Sequence, residues 1–325
     1  MTDSSPIRPL SLGPLRLDSN LLLAPISGWA DLAFRLAIRE IGGIGIAYTP
    51  LALPEGIVHD TRESREVVET RSADAPLGVQ LFGRDARSLS EAARILESRG
   101  YALIDFNLGC PVKKVTRAGA GAALLAVPDE AARLAADIAR AVAIPVTAKV
   151  RLGPDESREV APELVRLLEE AGVAAVTVHG RFASEDYDAP VRLDRIARAV
   201  AAAVAIPVVA NGGVDSPGSA RRTFEATGCA GVMIGRAALR DPWVFRRLHA
   251  GLAGEDFPEP SHDERARFVR SHFDTLLAAR GEARACALFR KFADSYGTLL
   301  GLTDQARAAW KRLESPGGLA RLLAR

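Results

Sequence analysis

Eight short apolar segments, all but the second followed by a stretch of helical periodicity, set the tightest limit on what this chain can fold into. The segments are Leu21 to Ile26, Ile44 to Tyr48, Leu77 to Phe82, Ala102 to Leu108, Val146 to Leu152, Ala174 to His179, Val208 to Asn211 and Gly231 to Gly235. Apolar residues at helical spacing occupy Asp31 to Ile41, Ala86 to Arg99, Asp129 to Ala143, Arg158 to Ala171, Leu193 to Val204, Ser216 to Thr227 and Pro242 to His249. Strands separated by helices pair in parallel, because a parallel partner needs a long crossover. Eight such units in about 230 residues is the arithmetic of a closed α/β (β/α)8 barrel, a TIM barrel. An open doubly wound sheet is the alternative. The stretch LALPEGIVHDTRESREVVETRSADAP reads as a long loop with one short helix.

Two further segments frame the barrel. Residues 8–18, RPLSLGPLRLD, alternate apolar and polar about a Gly-Pro pair, the pattern of a small hairpin plugging the barrel's amino-terminal face. Beyond Gly251 the composition becomes that of a linker, and three amphipathic stretches follow, RARFVRSHFDTLLAAR, EARACALFRKFADSYGTLL and TDQARAAWKRLE. The expected organisation is a barrel domain over residues 1–250 and a small helical domain over residues 251–325.

Charge and cysteine usage narrow the surroundings. The net charge is +2, yet from Phe245 onward there are 14 Arg and Lys against 10 Asp and Glu, so the tail is mildly basic and the rest slightly acidic. Such a tail is either a solvated helical face or a nucleic-acid surface. The three cysteines, at 110, 229 and 286, fit neither a metal-ligand spacing nor a disulfide framework, so no metal is expected and a reducing compartment is. The first twenty residues lack the charge and apolar pattern of a secretory signal, and no apolar run reaches membrane-spanning length. A soluble cytoplasmic protein without a membrane partner is expected. A monomer is the working expectation for its oligomeric state.

In a barrel of this kind the active site is built at the carboxyl ends of the strands. The polar residues there are Ser27, Gln80, Asn107 with Cys110, Lys149 with Arg151, His179 with Arg181, Asn211 and Arg236. Gly109 and Pro111 stop the fourth strand on either side of Cys110, and a Gly-Ala alternation over residues 118–123 allows a close backbone approach. Cys110 is therefore either a small apolar residue in a turn or a thiol held at the mouth. ANGGVDS and IGRAALRDPW, after strands seven and eight, supply glycine amides and Arg236 where such barrels commonly hold a phosphate. A phosphorylated ligand is expected, with Gln80, Lys149 and His179 facing its remainder as partners for a flat heterocycle.

LAPISGWADLAFR resembles the LAPMAGVTDxPFR opening of the tRNA-dihydrouridine synthase family, and VQLFG, DFNLGCPVKKV, GAGAALL, AKVRLG, VTVHGR, VVANGGV and GVMIGRAALRDPWVF look like its later motifs in the same order. The resemblance covers roughly residues 20–300. It implies a barrel that binds FMN, a helical domain that helps hold tRNA, and reduction of the C5=C6 bond of particular uridines with NADPH as reductant. Position by position, Cys110 matches the proton-donating cysteine and Asn107 the asparagine that touches the target uracil. Gln80, Lys149 and His179 match residues around the flavin ring, with backbone at Ala24, Pro25 and Ile26 beside them. Asn211, Gly212, Gly213, Gly235 and Arg236 match the ribityl and phosphate end.

Residue chemistry agrees with the resemblance. Hydride delivery to uracil C6 builds negative charge toward C5, so an acid must stand on the other face of the base, and a protonated thiol serves. Lys113 and Lys114 are expected to point away from the sulfur, toward RNA phosphates. Arg151, Arg181 and Tyr187 are candidates for gripping a base drawn out of its stack. Tyr187 alternatively serves as loop packing. Arg284, Arg290 and Lys291 are candidates for following the tRNA backbone. The chain departs from the family pattern at Ile26, in TPLALPEGI, at Tyr187-Asp188-Ala189 and in RKFADSY. These departures bear more on which uridine is chosen than on whether it is reduced. The alternatives are an FMN-dependent barrel acting on a small pyrimidine or enoate, and a non-catalytic RNA-binding module of the same fold.

Overall fold

The computed structural model describes residues 5–324. A hairpin opens the chain, β1 (Leu10–Leu12) against β2 (Leu15–Leu17), turning at Gly13 in the left-handed region (φ 58°). The barrel strands are β3 (Leu21–Leu23), β4 (Ile46–Tyr48), β5 (Leu77–Leu81), β6 (Leu103–Leu108), β7 (Val146–Arg151), β8 (Ala175–His179), β9 (Val208–Asn211) and β10 (Gly231–Ile234). All neighbours are parallel and β10 closes onto β3. The closed (β/α)8 barrel expected from the sequence is the fold, and the open sheet is excluded.

Helices return the chain between strands: α1 (Leu32–Ile41), α2 (Pro54–Val58), α3 (Arg62–Val67), α4 (Ala86–Ser98), α5 (Lys113–Thr116), α6 (Pro128–Ala141), α7 (Ala161–Glu170), α8 (Leu193–Ala202) and α9 (Pro217–Thr227). Their starts follow capping chemistry. Asp31 accepts from the Phe34 amide at the head of α1, and Ser216 and Ser219 form a reciprocal capping box before α9. Helix α7 begins three residues later than its periodicity predicts, because Pro162 sits in its first turn and the Val160 and Ala161 amides both turn back to the Leu152 carbonyl.

The segment after β4 corrects the sequence reading. It holds two helices and a 3-10 turn (Ser72–Asp74) rather than one short helix in a loop. Its anchor is the fully buried ion pair of Arg35 and Asp74 at 2.8 Å. Arg35 also donates to the Ala30 and Glu69 carbonyls, each at 2.7 Å, so every nitrogen of its guanidinium has a protein acceptor.

The barrel interior runs from apolar to polar along the strand direction. At the floor, Leu22, Ile46, Leu103, Ala175, Val209 and Met233 pack against Leu10, Leu12 and Leu17 of the hairpin. The hairpin is thus the expected plug. Higher up, Gln80, Asp105 and Thr147 are register neighbours on β5, β6 and β7; above them come Asn107 and Lys149, then Arg151, His179 and Asn211.

The tail continues with α10 (Arg236–Arg240), α11 (Val244–Ala253), α12 (His262–Arg280), α13 (Glu282–Phe289), α14 (Ala293–Leu299), α15 (Asp304–Trp310) and α16 (Pro316–Leu323). Gly254, left-handed at φ 76°, ends α11 slightly past the expected boundary. The tail shares one apolar core with the barrel's outer layer. Phe34 of α1 stacks with Phe292 at 6.2 Å between ring centroids, and His272, fully buried, touches Phe34, Phe268, Phe289, Phe292 and Tyr296. Phe292, in the departing RKFADSY stretch, is therefore a core residue. Among the described residues no helix is long and apolar enough to cross a membrane.

Candidate active site

Cys110 stands at the carboxyl end of β6, partly exposed, while Cys229 and Cys286 are buried. Its backbone is held from two sides. Asn107 Oδ1 accepts from the amides of Gly109 (3.2 Å) and Cys110 (2.9 Å), and the Cys110 carbonyl accepts from Ala122 (3.0 Å). Gly121 explains the Gly-Ala alternation: at φ 59°, a Cβ there would lie 2.8 Å from the Cys110 carbonyl oxygen. The thiol is thus presented by a fixed turn rather than packed away as a small apolar residue.

Asn107 is itself oriented. Its Nδ2 donates to Gln80 Oε1 at 2.9 Å, and Gln80 Nε2 donates to Asp105 Oδ2 at 2.6 Å. Thr147 Oγ1 donates to the other oxygen of Asp105, also at 2.6 Å. Asp105 and Thr147 escaped the sequence reading; an acid between Ile104 and Phe106, in the middle of a buried strand, was the available signal.

One strand over, Lys149 Nζ donates to Asn211 Oδ1 at 2.8 Å, and Asn211 Nδ2 to the Met233 carbonyl at 2.7 Å. Burial pulls the Lys149 pKa down to about 8, against the pull of Asp105. The same environment keeps His179 neutral: burial and the cations Lys149, Arg151, Arg181 and Arg236 all push its pKa far below the ordinary value. Arg181 Nη1 lies 2.8 Å from His179 Nε2. A guanidinium only donates, so Nε2 accepts and the imidazole proton sits on Nδ1.

Beyond these residues the mouth is lined by Gly212 (φ 107°) and Gly213 (φ 72°), whose amides donate to no protein acceptor among the described residues. A Cβ on Gly212 would come within 3.0 Å of the His179 ring. Gly235 and the first turn of α10 lie across from them, beside Ala24, whose amide donates to the Ile234 carbonyl at 2.9 Å. Pro25 and Ile26 follow, half-buried.

The arginines have partners that sequence alone did not reveal. Arg151, buried, donates to the Phe182 carbonyl at 2.6 Å and the Glu185 carbonyl at 3.3 Å, and Arg181 to the Ala189 carbonyl at 2.6 Å. Arg236 pairs with Asp188 at 2.6 Å and donates to the Tyr187 carbonyl. Together they hold the loop between β8 and α8 so that Tyr187 lies over His179, ring centroids 6.2 Å apart and nearly parallel, with Arg151 and Arg236 within 5.1 and 5.7 Å of its ring. Tyr187 is half exposed. Lys113 and Lys114 are exposed on α5, without an ion-pair partner among the described residues.

The tail cations, in contrast, are occupied. Arg284 pairs with Glu66 at 2.5 Å, Arg290 donates to the Leu313 carbonyl at 2.8 Å, and Lys291 donates to the Gly28 carbonyl at 2.5 Å while lying over Trp29 and Phe292. Arg284 and Lys291 link the tail to the barrel and Arg290 braces the tail internally, so each of the three candidates for following a nucleic-acid backbone also has a partner within the protein.

A family model described as dihydrouridine synthase matches residues 22–321. The chain belongs to the dihydrouridine synthase family. Among curated members it is 39% identical over 306 residues to a probable tRNA-dihydrouridine synthase of Rhodobacter capsulatus, covering 94% of this chain and 92% of that protein. It is 36% identical over 312 residues to tRNA-dihydrouridine synthase B of Xanthomonas axonopodis, with 94% and 92% covered. Among solved structures, histamine dehydrogenase from Rhizobium sp. 4-9 superposes with a TM-score of 0.59 at 13% identity over 99% of this chain and 65% of that one. A morphinone reductase variant in complex with tetrahydroNAD gives 0.55 at 14% over 78% and 92%. These two likenesses establish the barrel fold.

Proposed function

We propose that the protein is a tRNA-dihydrouridine synthase that holds FMN at the barrel mouth and reduces the C5=C6 bond of uridine in tRNA, with NADPH as the source of electrons. The observation that carries this reading is the partly exposed Cys110 just past the end of β6, at the same mouth as the partly buried Lys149 on β7.

The residues present suit a flavin mononucleotide. The unpaired amides of Gly212 and Gly213 and the first turn of α10 are donors for a phosphate. Arg236 joins them on leaving Asp188, an exposed pairing that contributes little by itself. Lys149 has donors beyond the one given to Asn211, and suits the electron-rich edge of an isoalloxazine. His179 offers its Nδ1 proton. The chemistry a flavin would supply when held there is hydride transfer to the pyrimidine.

The rest of the chemistry belongs to the chain. Cys110 gives its Sγ proton to the uracil carbon on which negative charge develops, and its exposure lets solvent restore that proton after turnover. Asn107 fixes the turn that carries the thiol, and its second Nδ2 hydrogen remains available to a uracil carbonyl. Tyr187 offers an exposed ring beside the mouth on which a displaced base can stack. Lys113 and Lys114, one turn past Cys110, are placed for RNA phosphates.

The deciding experiment incubates the purified yellow protein with NADPH and tRNA from cells lacking it, then maps uridines that gain two hydrogens by mass spectrometry. Dihydrouridine at defined positions is the expected result. Bleaching of the flavin by NADPH with no change in any tRNA would overturn the reading in favour of a small-molecule reductase.

A further inference from the structure

The acid inside β6 has no part in the chemistry proposed above. Asp105 is fully buried, and each of its oxygens accepts a 2.6 Å hydrogen bond, Oδ2 from Gln80 and Oδ1 from Thr147. A carboxylate accepts and cannot offer a hydrogen, so the amide of Gln80 has one permitted direction: Nε2 toward Asp105, Oε1 away. Oε1 then needs a donor, which is Asn107 Nδ2. That choice leaves Asn107 Oδ1 pointing at the Gly109 and Cys110 amides. The two side-chain amides are thus held in one sense from both ends, by the backbone donors of Gly109 and Cys110 at the mouth and by the acceptor Asp105 inside the barrel.

We propose that Asp105 is a positioning residue for Cys110: by accepting from Gln80 it anchors the buried end of the Gln80–Asn107 relay and so braces the turn that aims the thiol. The relay spans the register pairs Gln80 with Asp105 and Asn107 with Lys149, so it is carried by strands rather than by loops. What Asp105 supplies is acceptance, not charge. An asparagine at this place would keep the relay, its oxygen taking the Gln80 hydrogen while its amide donates to Thr147, whose hydroxyl rotates to accept. The assignment of a proton-donating role to Cys110 rests on the function proposed above; the effect on the turn does not.

The test compares the flavin-loaded wild type with Asp105→Ala, Asp105→Asn and Gln80→Met. Amide hydrogen exchange at Gly109 and Cys110 is expected to accelerate about tenfold in Asp105→Ala and Gln80→Met and to stay near wild type in Asp105→Asn, with exchange in β10 unchanged in all. In parallel, kcat for tRNA reduction falls about tenfold or more in the first two variants at unchanged KM, because the lost quantity is aim rather than binding. If Asp105→Ala does not fold, Gln80→Met decides. Unchanged exchange at both amides in the folded variants overturns the proposal. Asp105→Asn as defective as Asp105→Ala also overturns it, in favour of a charge acting on Lys149. Altered exchange in a protein whose wild type reduces no tRNA would leave the relay standing and sink only the proposed function.

Discussion

Lys149 Nζ and Asn211 Oδ1 meet 2.8 Å apart across the strand that carries His179, so a partly buried ammonium and a neutral imidazole share one wall of the barrel mouth. The lysine loses its proton near pH 8 because burial disfavours the ammonium. Binding of FMN to the apoprotein is therefore expected to weaken as pH rises through about 8. Lys149→Met should bind FMN about ten- to a hundredfold more weakly at pH 7 and show no such dependence. Fluorescence titration of FMN from pH 6.5 to about 9.5 checks both, and wild-type affinity in the variant would remove Lys149 from the ring contact.

Cys110→Ala leaves the mouth and its cations in place. Flavin content and the rate of flavin reduction by NADPH are expected to match wild type, while reoxidation by tRNA slows by about a hundredfold to ten-thousandfold. Stopped-flow measurement of the two half-reactions separates them. A wild-type rate of reoxidation by tRNA would eliminate the thiol as the acid.

Asp74→Ala strands the buried Arg35, which keeps its two carbonyl partners but loses its counter-charge. The cost is about 3–5 kcal/mol of stability. Urea unfolding measures it, and a loss below about 1 kcal/mol would show that the segment after β4 is anchored otherwise.

His272 makes stability depend on acid. Burial holds its pKa at about 4, with Nδ1 engaged by the Tyr296 hydroxyl and Nε2 without a partner, whereas the unfolded chain titrates near 6.5. Between those values the unfolded state binds more protons. Stability contributed by neutral His272 is therefore present above pH 6.5, falls as pH drops toward 4 by about 3 kcal/mol in all, and levels off below. His272→Phe, which suits the surrounding rings, should flatten that part of the profile with little change at pH 7. Equal slopes for wild type and variant in chemical unfolding at pH 4 to 7 would refute the assignment.

Lys113 and Lys114 should act on RNA without regard to sequence. Replacing each by Ala is expected to lower the slope of log affinity for tRNA against log salt by about 1 per lysine and to leave FMN binding unchanged. Filter binding across a salt series reads this directly, and an unaltered slope would place the RNA elsewhere.

Much of the fold was legible because barrel strands are buried on both faces and announce themselves as apolar runs. All eight were located to within a few residues, and the hairpin was marked by alternation about Gly13 and Pro14. The site was legible to the extent that strand ends gather at one mouth, which brought Cys110, Lys149, His179 and Asn211 together in advance. Partner choice was not legible. Whether Arg236 faces Asp188, or Arg284 faces Glu66, depends on residues 48 and 218 positions away that no local pattern connects. The segment after β4 failed for the same reason, since its short helices rest on the pair made by Arg35 with Asp74 rather than on periodicity of their own. Asp105 was overlooked because its meaning lies in what its neighbours on two other strands donate to it.

The leucines of the opening hairpin leave the barrel with one doorway. Leu10, Leu12 and Leu17 seal the opposite end against Leu22, Ile46 and Leu103, so whatever brings electrons and whatever receives them must use the same threshold in turn. Initial-rate plots for the two reactants should then run as parallel lines, each reactant at high concentration competing with the other for entry. A small leucine-faced ribbon far from the thiol would thereby dictate the order of events at it.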